Sequence, residues 1–260
     1  MGSAEIQGVL WGAAPRDWAT YQEAASLQLW SDVLKAVGAA PGVKILDAGC
    51  GAGGACVEAA KLGCEVTGVD ASRAMLEVAR ERAPEARFKE ADLESLPFDD
   101  YAFDAVIAVN SVLYAADAAQ AMKELARVTR SSGQVAITTW GQPEACEMRD
   151  VFGAVVNTLP AKPPGGGPFA LSAPGTLEGL LTNAGLKVVA QGEGRCDFSY
   201  PDFEVCWRAM SSAGPLRGAM NAVGEAKVRA AVGAAVKGYT DGSGLITLHN
   251  TFIWAAGARA

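Results

Sequence analysis

A glycine-rich segment is the part of the sequence whose residue types and spacing are most clearly suited to chemistry. Gly49, Gly51 and Gly54 have the spacing G-x-G-x-x-G. They follow the apolar run Val43–Ala48, so the chain can turn sharply after a strand and bring backbone N–H groups to a ligand at a helix N-terminus. Asp70 lies 21 residues beyond Gly49, at the end of the second predicted strand, where its carboxylate can accept hydrogen bonds from a ribose diol. The pattern fits two nucleoside cofactors equally, a nicotinamide dinucleotide and S-adenosylmethionine.

Asp47, two residues before the first glycine, favours the second cofactor. A carboxylate at this place would repel the doubly anionic pyrophosphate of a dinucleotide, whereas it would attract the ammonium and sulfonium of S-adenosylmethionine. An alternative role for Asp47 is to cap the glycine loop by accepting hydrogen bonds from its backbone N–H groups. The two roles are compatible.

The region from about Val43 to Trp140 resembles the class I S-adenosylmethionine-dependent methyltransferases, in particular those that act on small molecules. The resemblance is carried, in chain order, by residues 46–53, 68–72, 91–98, 103–107 and 127–133. It implies an α/β, Rossmann-like, doubly wound sheet of seven strands with the last strand antiparallel. It also implies S-adenosylmethionine as the cofactor, with Asp70 on the ribose and Asp92 on the adenine amino group.

Asp92 and a further candidate for the adenine site, Met75, each have a structural alternative. Asp92 follows a predicted parallel strand and so faces the crevice where open α/β sheets bind ligands, but it could also cap a helix or lie in a solvated turn. Met75 could cover an adenine face or belong to the helix core. We predict cofactor contacts at Trp18, Tyr21, Asp47, Gly49, Gly51, Asp70, Ala71, Met75, Asp92, Leu93 and Asn110.

Alternating apolar runs and helix-period stretches position these residues, which is typical of βαβ units with a parallel sheet. Strands are predicted at Val43–Ala48, Glu65–Val69, Ala86–Glu90, Ala105–Val109, Gln134–Thr139, Leu186–Ala190 (with an extension to Cys196 as an alternative) and Leu245–Ala255. Helices are predicted at Asp17–Val37, Ala52–Leu62, Ser72–Ala83, Ala116–Thr129, Thr176–Ala184, Asp202–Ser212 and Glu225–Lys237. Five prolines and four glycines between Pro160 and Gly175 indicate a loop.

We expect one domain over residues 1–260, with a helical N-terminal cap (1–42), a cofactor-binding core (43–140) and a substrate-side region (141–260). In the seven-strand order, residues 197–241 are an insert that emerges over the cofactor, and with the N-terminal segment they would form a lid. Aromatic stripes in such segments are as often ordinary core. We predict substrate contacts at Trp11, Tyr114, Trp140, Phe169, Tyr200 and Trp207.

Composition limits the partners. The net charge is −7, from 22 basic and 29 acidic residues, so the chain repels nucleic-acid phosphate and anionic membrane. No apolar run reaches the ~18 to 20 residues of a membrane span, and the first residues lack a basic segment followed by an apolar one. We therefore expect a cytoplasmic protein, either a monomer or a homodimer, without nucleic-acid or membrane partners.

The sequence has few residues suited to a metal site or to a Ser–His–Asp catalytic triad. The six cysteines include no Cys-x-x-Cys pair, and one histidine, His249, serves the whole chain. We expect buried reduced thiols and no metal. His249 is a weak candidate for a general base, because it falls well inside the last predicted strand and away from the cofactor edge.

The sequence therefore predicts a methyltransferase that transfers a methyl group from S-adenosylmethionine to a small, apolar or aromatic metabolite. The fourth strand ends in residues 109–114, Val-Asn-Ser-Val-Leu-Tyr, which lack the Asn/Asp-Pro-Pro-aromatic pattern of enzymes that methylate nucleic-acid bases. Two alternatives remain open. One is a protein with the same fold that uses the cofactor for other chemistry or for binding, such as a cyclase or regulator, and the other is an NAD-dependent oxidoreductase.

Overall fold

A seven-stranded mixed sheet forms the centre of the computed structural model, which describes residues 3–162 and 167–259. The middle of the predicted proline- and glycine-rich loop, residues 163–166, lies outside the described residues. The strands are β1 Lys44–Ala48, β2 Glu65–Asp70, β3 Arg87–Glu90, β4 Phe103–Ala108, β5 Thr129–Trp140, β6 Leu186–Arg195, β7 Phe198–Tyr200, β8 Ile246–Leu248 and β9 Thr251–Arg259.

The strand order in the large sheet is β3-β2-β1-β4-β5-β9-β6, with β9 antiparallel to both of its neighbours. This confirms the predicted seven-strand sheet and its antiparallel last strand. The parallel strands β1 to β5 end at one edge, which is where open α/β sheets bind ligands. The strands β7 and β8 pair separately.

Helices cover both faces of the sheet. They are α1 Ala4–Trp11, α2 Pro15–Asp17, α3 Leu27–Ala36, α4 Gly54–Lys61, α5 Arg73–Arg82, α6 Ala118–Val128, α7 Met148–Val156, α8 Thr176–Asn183, α9 Phe203–Ser211, α10 Gly214–Val223 and α11 Glu225–Val236. Successive residues of β1 alternate between the two cores: Ile45 packs with α3, α4 and α5, and Leu46 packs with α6 and α8. The core strands are therefore buried on both faces.

A third core lies beyond the carboxyl end of β5. It contains the buried side chains of α7, α9, α10 and α11 together with Trp140 and Phe252, which face each other where β5 and β9 pair. The predicted insert, residues 197–241, contains the short strand β7 and the helices α9, α10 and α11, and it lies at the expected edge of the sheet.

The predicted helix Asp17–Val37 is not continuous. A π-helical turn covers Trp18–Gln22 and a 3-10 turn covers Glu23–Ser26 before α3 begins. Buried Glu23 bonds to the glycine loop from this irregular stretch. This contact with a residue far along the chain accompanies the irregular geometry.

The predicted strand Leu245–Ala255 is wrong at its centre, where the chain leaves β8 and enters β9. Residues 249 and 250 bond to distant backbone there: the Glu147 N–H donates to the His249 carbonyl (2.9 Å), and the Cys196 N–H donates to the Asn250 carbonyl (2.8 Å). The Asn250 side chain accepts from the Met148 N–H (3.0 Å). These contacts from other segments divide the apolar run between two sheets.

Candidate cofactor site and adjoining apolar cavity

A cavity of about 190 Å³ opens at the carboxyl ends of β1 to β5. It is lined by all the predicted cofactor residues except Tyr21, and by Trp11, Tyr114 and Trp140 of the predicted substrate residues. Strand ends and the N-terminal segment therefore enclose one space.

The glycine loop is shaped by close approach of another strand end. Gly49 has φ +80°, and a Cβ atom there would lie 2.3 Å from the Cβ of Ser111. The Ser111 hydroxyl in turn donates to the Ala48 carbonyl at 2.6 Å. Only glycine fits this combination of conformation and contact.

The backbone N–H groups of this loop are already engaged within the protein. Those of residues 49 and 50 donate to the Val69 carbonyl, and that of Gly53 donates to the Cys50 carbonyl. The Gly51 N–H donates to Asp70 (2.8 Å) and the Ala52 N–H to Glu23 (3.1 Å). Residues 49–53 therefore offer no unbonded N–H group to an anion.

Asp47 is buried beneath this loop, and its carboxylate accepts a hydrogen bond from the Cys56 thiol at 3.3 Å. Burial raises the pKa of Asp47 to about 7, while the Cys56 hydrogen bond lowers it. Because the loop N–H groups bond elsewhere, the alternative that Asp47 caps them does not hold. The carboxylate is a buried acid at the cavity, and the described residues provide no cationic partner for it.

Asp70 is the last residue of β2, and its carboxylate bonds to both the glycine loop and the turn after β2. One oxygen accepts from Gly51 and the other from the Ser72 N–H, each at 2.8 Å. Burial raises the pKa of Asp70, and these backbone hydrogen bonds oppose the rise. Each oxygen keeps a second lone pair, so the carboxylate can still accept from a diol.

Glu23 is an acid in the cavity that the sequence analysis missed. Its carboxylate, only 5% exposed, accepts from the Trp18 indole N–H (3.1 Å) and from the Ala52 N–H, and it pairs with Arg82. Burial raises the pKa of Glu23, against the lowering effect of Arg82. The group fastens the N-terminal segment to the glycine loop.

Asp92 and Asn110 follow β3 and β4 along the same edge. One Asp92 oxygen accepts from the Glu94 N–H at 2.9 Å, which is the turn geometry considered as its alternative role, yet the residue also lines the cavity. Asn110 has φ +52°. Its amide oxygen accepts from the Thr138 hydroxyl at 2.7 Å, so its NH2 group remains for a ligand.

The cavity continues into an apolar sector toward the third core. This sector is lined by Trp140, Met148, Phe152, Phe198, Met210, Leu216 and Phe252. On the N-terminal side, Trp11 packs edge to face against Trp18 (4.8 Å between ring centroids) and Tyr114 (5.3 Å). Among the described residues that line the whole cavity, none is Lys, Arg or His, whereas Glu23, Asp47, Asp70 and Asp92 are acids.

Comparison with known proteins agrees with this architecture. Residues 46–137 match the family model described as "Methyltransferase domain". This stretch of the chain is therefore similar to a methyltransferase domain. The matched residues hold the predicted cofactor edge and stop before the apolar sector.

The curated relatives align with about half of this chain. The malonyl-[acyl-carrier protein] O-methyltransferase of Salmonella typhimurium is 37% identical over 139 residues, covering 53% of this chain and 55% of the relative. The demethylmenaquinone methyltransferase of Renibacterium salmoninarum is 33% identical over 130 residues, covering 50% and 55%. The chain thus spans about half the length of the curated relatives that it matches.

The fold of the chain is shared with solved structures. The YcgJ protein of Bacillus subtilis superposes with a TM-score of 0.59 at 20% identity, covering 89% of this chain and 98% of that one. At this identity the likeness concerns the fold alone.

Four predicted contact residues do not line the cavity. Tyr21 lies under the Arg208 guanidinium, 4.6 Å from its ring centroid, and Phe169 packs on Trp140 at 5.8 Å. Tyr200 and Trp207 are buried in the third core. These four aromatic residues pack in or against the third core, as the alternative to a ligand contact predicts.

His249 also lies away from the cavity. Its Nδ1 is 2.7 Å from Arg195 and 3.1 Å from Asp197, at the break between β8 and β9, and the residue is half exposed. This position does not support the hypothesis of His249 as a general base, which stays a prediction. The physical reason is that its backbone is held by Glu147 outside the ligand edge.

The residues that sequence analysis missed share one property, which is that their place depends on long-range packing. They include Gln22, Glu23, Ser26, Trp30, Ser111, Met148, Phe152 and Phe252. Only Ser111 had a sequence signal, since it follows the end of a predicted strand.

Among the described residues, no cluster of three His, Cys, Asp or Glu could hold a metal ion, and no helix has the length and apolar character to cross a membrane.

Proposed function

We propose that the chain binds S-adenosylmethionine and transfers its methyl group to a small, uncharged and largely apolar acceptor. One observation carries this proposal: among its described lining residues, a single cavity combines four acids and no basic side chain at the glycine loop with an aromatic sector beside it. A cationic cofactor fits the first part of this cavity, and an apolar acceptor fits the second.

The cofactor assignment follows from charge and hydrogen bonding. A dinucleotide needs donors for its pyrophosphate, yet the N–H groups of residues 49–53 are engaged and buried Asp47 lies below them. S-adenosylmethionine would instead place its ammonium and sulfonium in this negative field. Asp70 would bind the ribose diol, and Asp92 the adenine amino group.

The acceptor assignment rests on the lining of the adjoining sector. An anionic acceptor, such as a malonyl carboxylate, would meet no cationic side chain among the described lining residues and would be repelled by the acids. A neutral ring system like that of demethylmenaquinone has the matching character. The helices α1 and α10 pack together at the cavity, with Trp11 against Gly214, which limits the size of the acceptor.

The cofactor supplies an activated methyl group on a positively charged sulfur. The chain's own contribution is to orient donor and acceptor and to exclude water, because the apolar sector contains no titratable side chain among the described residues. We expect most of the rate enhancement to come from this positioning.

The first test is calorimetry with S-adenosylhomocysteine and with NAD, followed by transfer from methyl-labelled cofactor into a metabolite extract and mass spectrometry for a product heavier by ~14 Da. We expect binding of S-adenosylhomocysteine, no binding of NAD, and an apolar product. Tighter binding of NAD would overturn the proposal. Cofactor binding without any methylated product would point instead to other chemistry on the same fold.

A further inference from the structure

Gln22 lies where the N-terminal segment crosses the glycine loop. It lines the cavity, and its neighbour Glu23 bonds to Ala52. A Cβ atom on Gly51 would lie 3.5 Å from a Glu23 oxygen and 3.7 Å from the Trp18 indole nitrogen. The segment 18–23 therefore forms the wall of the cavity directly over the loop.

Tyr200 determines how the Gln22 amide is turned. The Tyr200 side chain is buried (2% exposed), and its hydroxyl lies 2.6 Å from Gln22 Oε1. Within residues 3–162 and 167–259 the phenol has no other hydrogen-bond partner. A buried hydroxyl with one partner must donate to it, so the amide oxygen faces Tyr200 and the NH2 group is left without a protein partner in that same part of the chain.

A ligand carboxylate in this cavity has few donors to bind. The described lining residues include no basic side chain, and the N–H groups of residues 49–53 are engaged. Gln22 offers an oriented NH2 group over the loop. Ser26, four residues later and also in the lining, offers a hydroxyl for which the described residues provide no acceptor.

We propose that Gln22 binds the carboxylate of the cofactor's methionine moiety, and that Tyr200 is the positioning residue that turns the amide toward it. The inference rests on the proposed function and names a subsite within it. It gives Tyr200, which lies outside the cavity lining, a role through Gln22. It also links the bound cofactor to β7, at the start of the insert that borders the acceptor sector.

The test compares two ligands that differ only in the carboxylate. S-adenosylhomocysteine carries it, and S-adenosyl-3-thiopropylamine keeps the amine and lacks it. Calorimetry on Gln22→Ala should show about a tenfold weaker affinity for S-adenosylhomocysteine and little change for the thiopropylamine, as expected for loss of a hydrogen bond to a charged group. Tyr200→Phe should weaken only S-adenosylhomocysteine, by a few-fold.

Gln28→Ala is the matched control, because Gln28 lies in the neighbouring helix α3 and donates to Asp32 at the surface. It should bind both ligands as the parent chain does. Equal losses for both ligands in Gln22→Ala, or no loss, would overturn the carboxylate assignment while leaving the proposed function standing. A parent chain that binds neither ligand would overturn both. If Tyr200→Phe fails to fold, the Gln22→Ala comparison decides alone.

Discussion

Each acid of the cavity has a different environment, and this separates their roles. Asp70 accepts from two backbone N–H groups, Glu23 is paired with Arg82, and buried Asp47 has the Cys56 thiol as its one side-chain donor among the described residues. At Asp70 and Glu23 these partners oppose the rise in pKa that burial causes, whereas at Asp47 burial raises the pKa to about 7. Substitutions at Asp70 and Asp47 should consequently affect binding and pH dependence in distinct ways.

At Asp70 the expected effect is on cofactor affinity. Asp70→Ala should weaken binding of S-adenosylhomocysteine by ~1.5 to 3 kcal/mol, the range of hydrogen bonds to a charged group. The chain should still fold, since the sheet is held by strand pairing and two buried cores. Calorimetry together with circular dichroism measures both effects. An unchanged dissociation constant in a folded variant would remove Asp70 from the ribose site.

At Asp47 the expected effect is on stability against pH. Its pKa is about 7 in the folded chain, whereas an unfolded aspartate titrates near ~3.9. Between these values the folded chain keeps a proton that the unfolded chain has lost, so the free energy of unfolding falls as pH rises. Asp47→Asn carries no charge at any pH and should therefore gain roughly 4 kcal/mol relative to the parent between pH 4 and pH 8.

Urea unfolding of both chains at several pH values measures this difference. Asp99→Asn, which changes an exposed aspartate, is the control and should keep the parent's pH dependence. Parallel curves for Asp47→Asn and the parent would show that the Asp47 carboxyl does not titrate in this range.

At the scale of elements, α1 is held against the turn that follows β2. A Cβ atom on Gly8 would lie 2.5 Å from the Ala71 carbonyl oxygen, while one on Gly153 of α7 would meet nothing within 4 Å. Alanine favours both helices by its propensity, by ~1 kcal/mol. Gly8→Ala should nevertheless displace α1 and weaken S-adenosylhomocysteine binding several-fold, whereas Gly153→Ala should raise stability and leave affinity unchanged.

Thermal unfolding and calorimetry on this glycine pair separate propensity from packing. Equal behaviour of the two variants would mean that α1 is free to shift without affecting the cofactor edge. A loss of affinity confined to Gly8→Ala would support α1 as part of the site.

The elements that the sequence predicted well have local causes. The strand ends, Gly49 and Asp70 follow from apolar runs and fixed spacing in one βαβ unit. The irregular stretch around Gln22 and Glu23, and the break at Asn250, depend instead on partners far along the chain: Ala52 lies 29 residues from Glu23, and Met148 lies 102 residues from Asn250. The periodicity of a short stretch of sequence carries no information about such contacts. It therefore predicts one strand at Leu245–Ala255, where the structure has β8 and β9.

The same limit applies to the aromatic residues. The sequence predicts substrate contacts at Trp11, Trp140, Tyr200 and Trp207. In the structure Trp11 and Trp140 line the cavity, whereas Tyr200 and Trp207 are buried in the third core. Their residue type is compatible with both places. Only the packing of α9 against β7 and of α10 against α11 decides which ring faces the ligand space.

At the scale of the whole molecule, two separate segments enclose the cavity over the sheet edge. The N-terminal helices contact the glycine loop and the turn after β2, and α1 also packs on α10 of the insert. A ligand that bridges the loop and these segments should stabilise them together, because they share its contacts. We therefore expect cofactor binding to slow hydrogen exchange at residues 4–36 and 198–248 as well as at the loops around Gly49, Asp70 and Asp92.

Hydrogen exchange with and without S-adenosylhomocysteine measures this coupling, and Asp70→Ala at the same ligand concentration provides the control with reduced occupancy. Deleting residues 1–20, which removes Trp11 and Trp18, should lower cofactor affinity while the sheet still folds, since β1 begins at Lys44. Protection limited to the three loops, with full affinity in the truncated chain, would mean that the segments do not close over the cofactor. The acceptor could then be larger than the enclosed apolar sector permits.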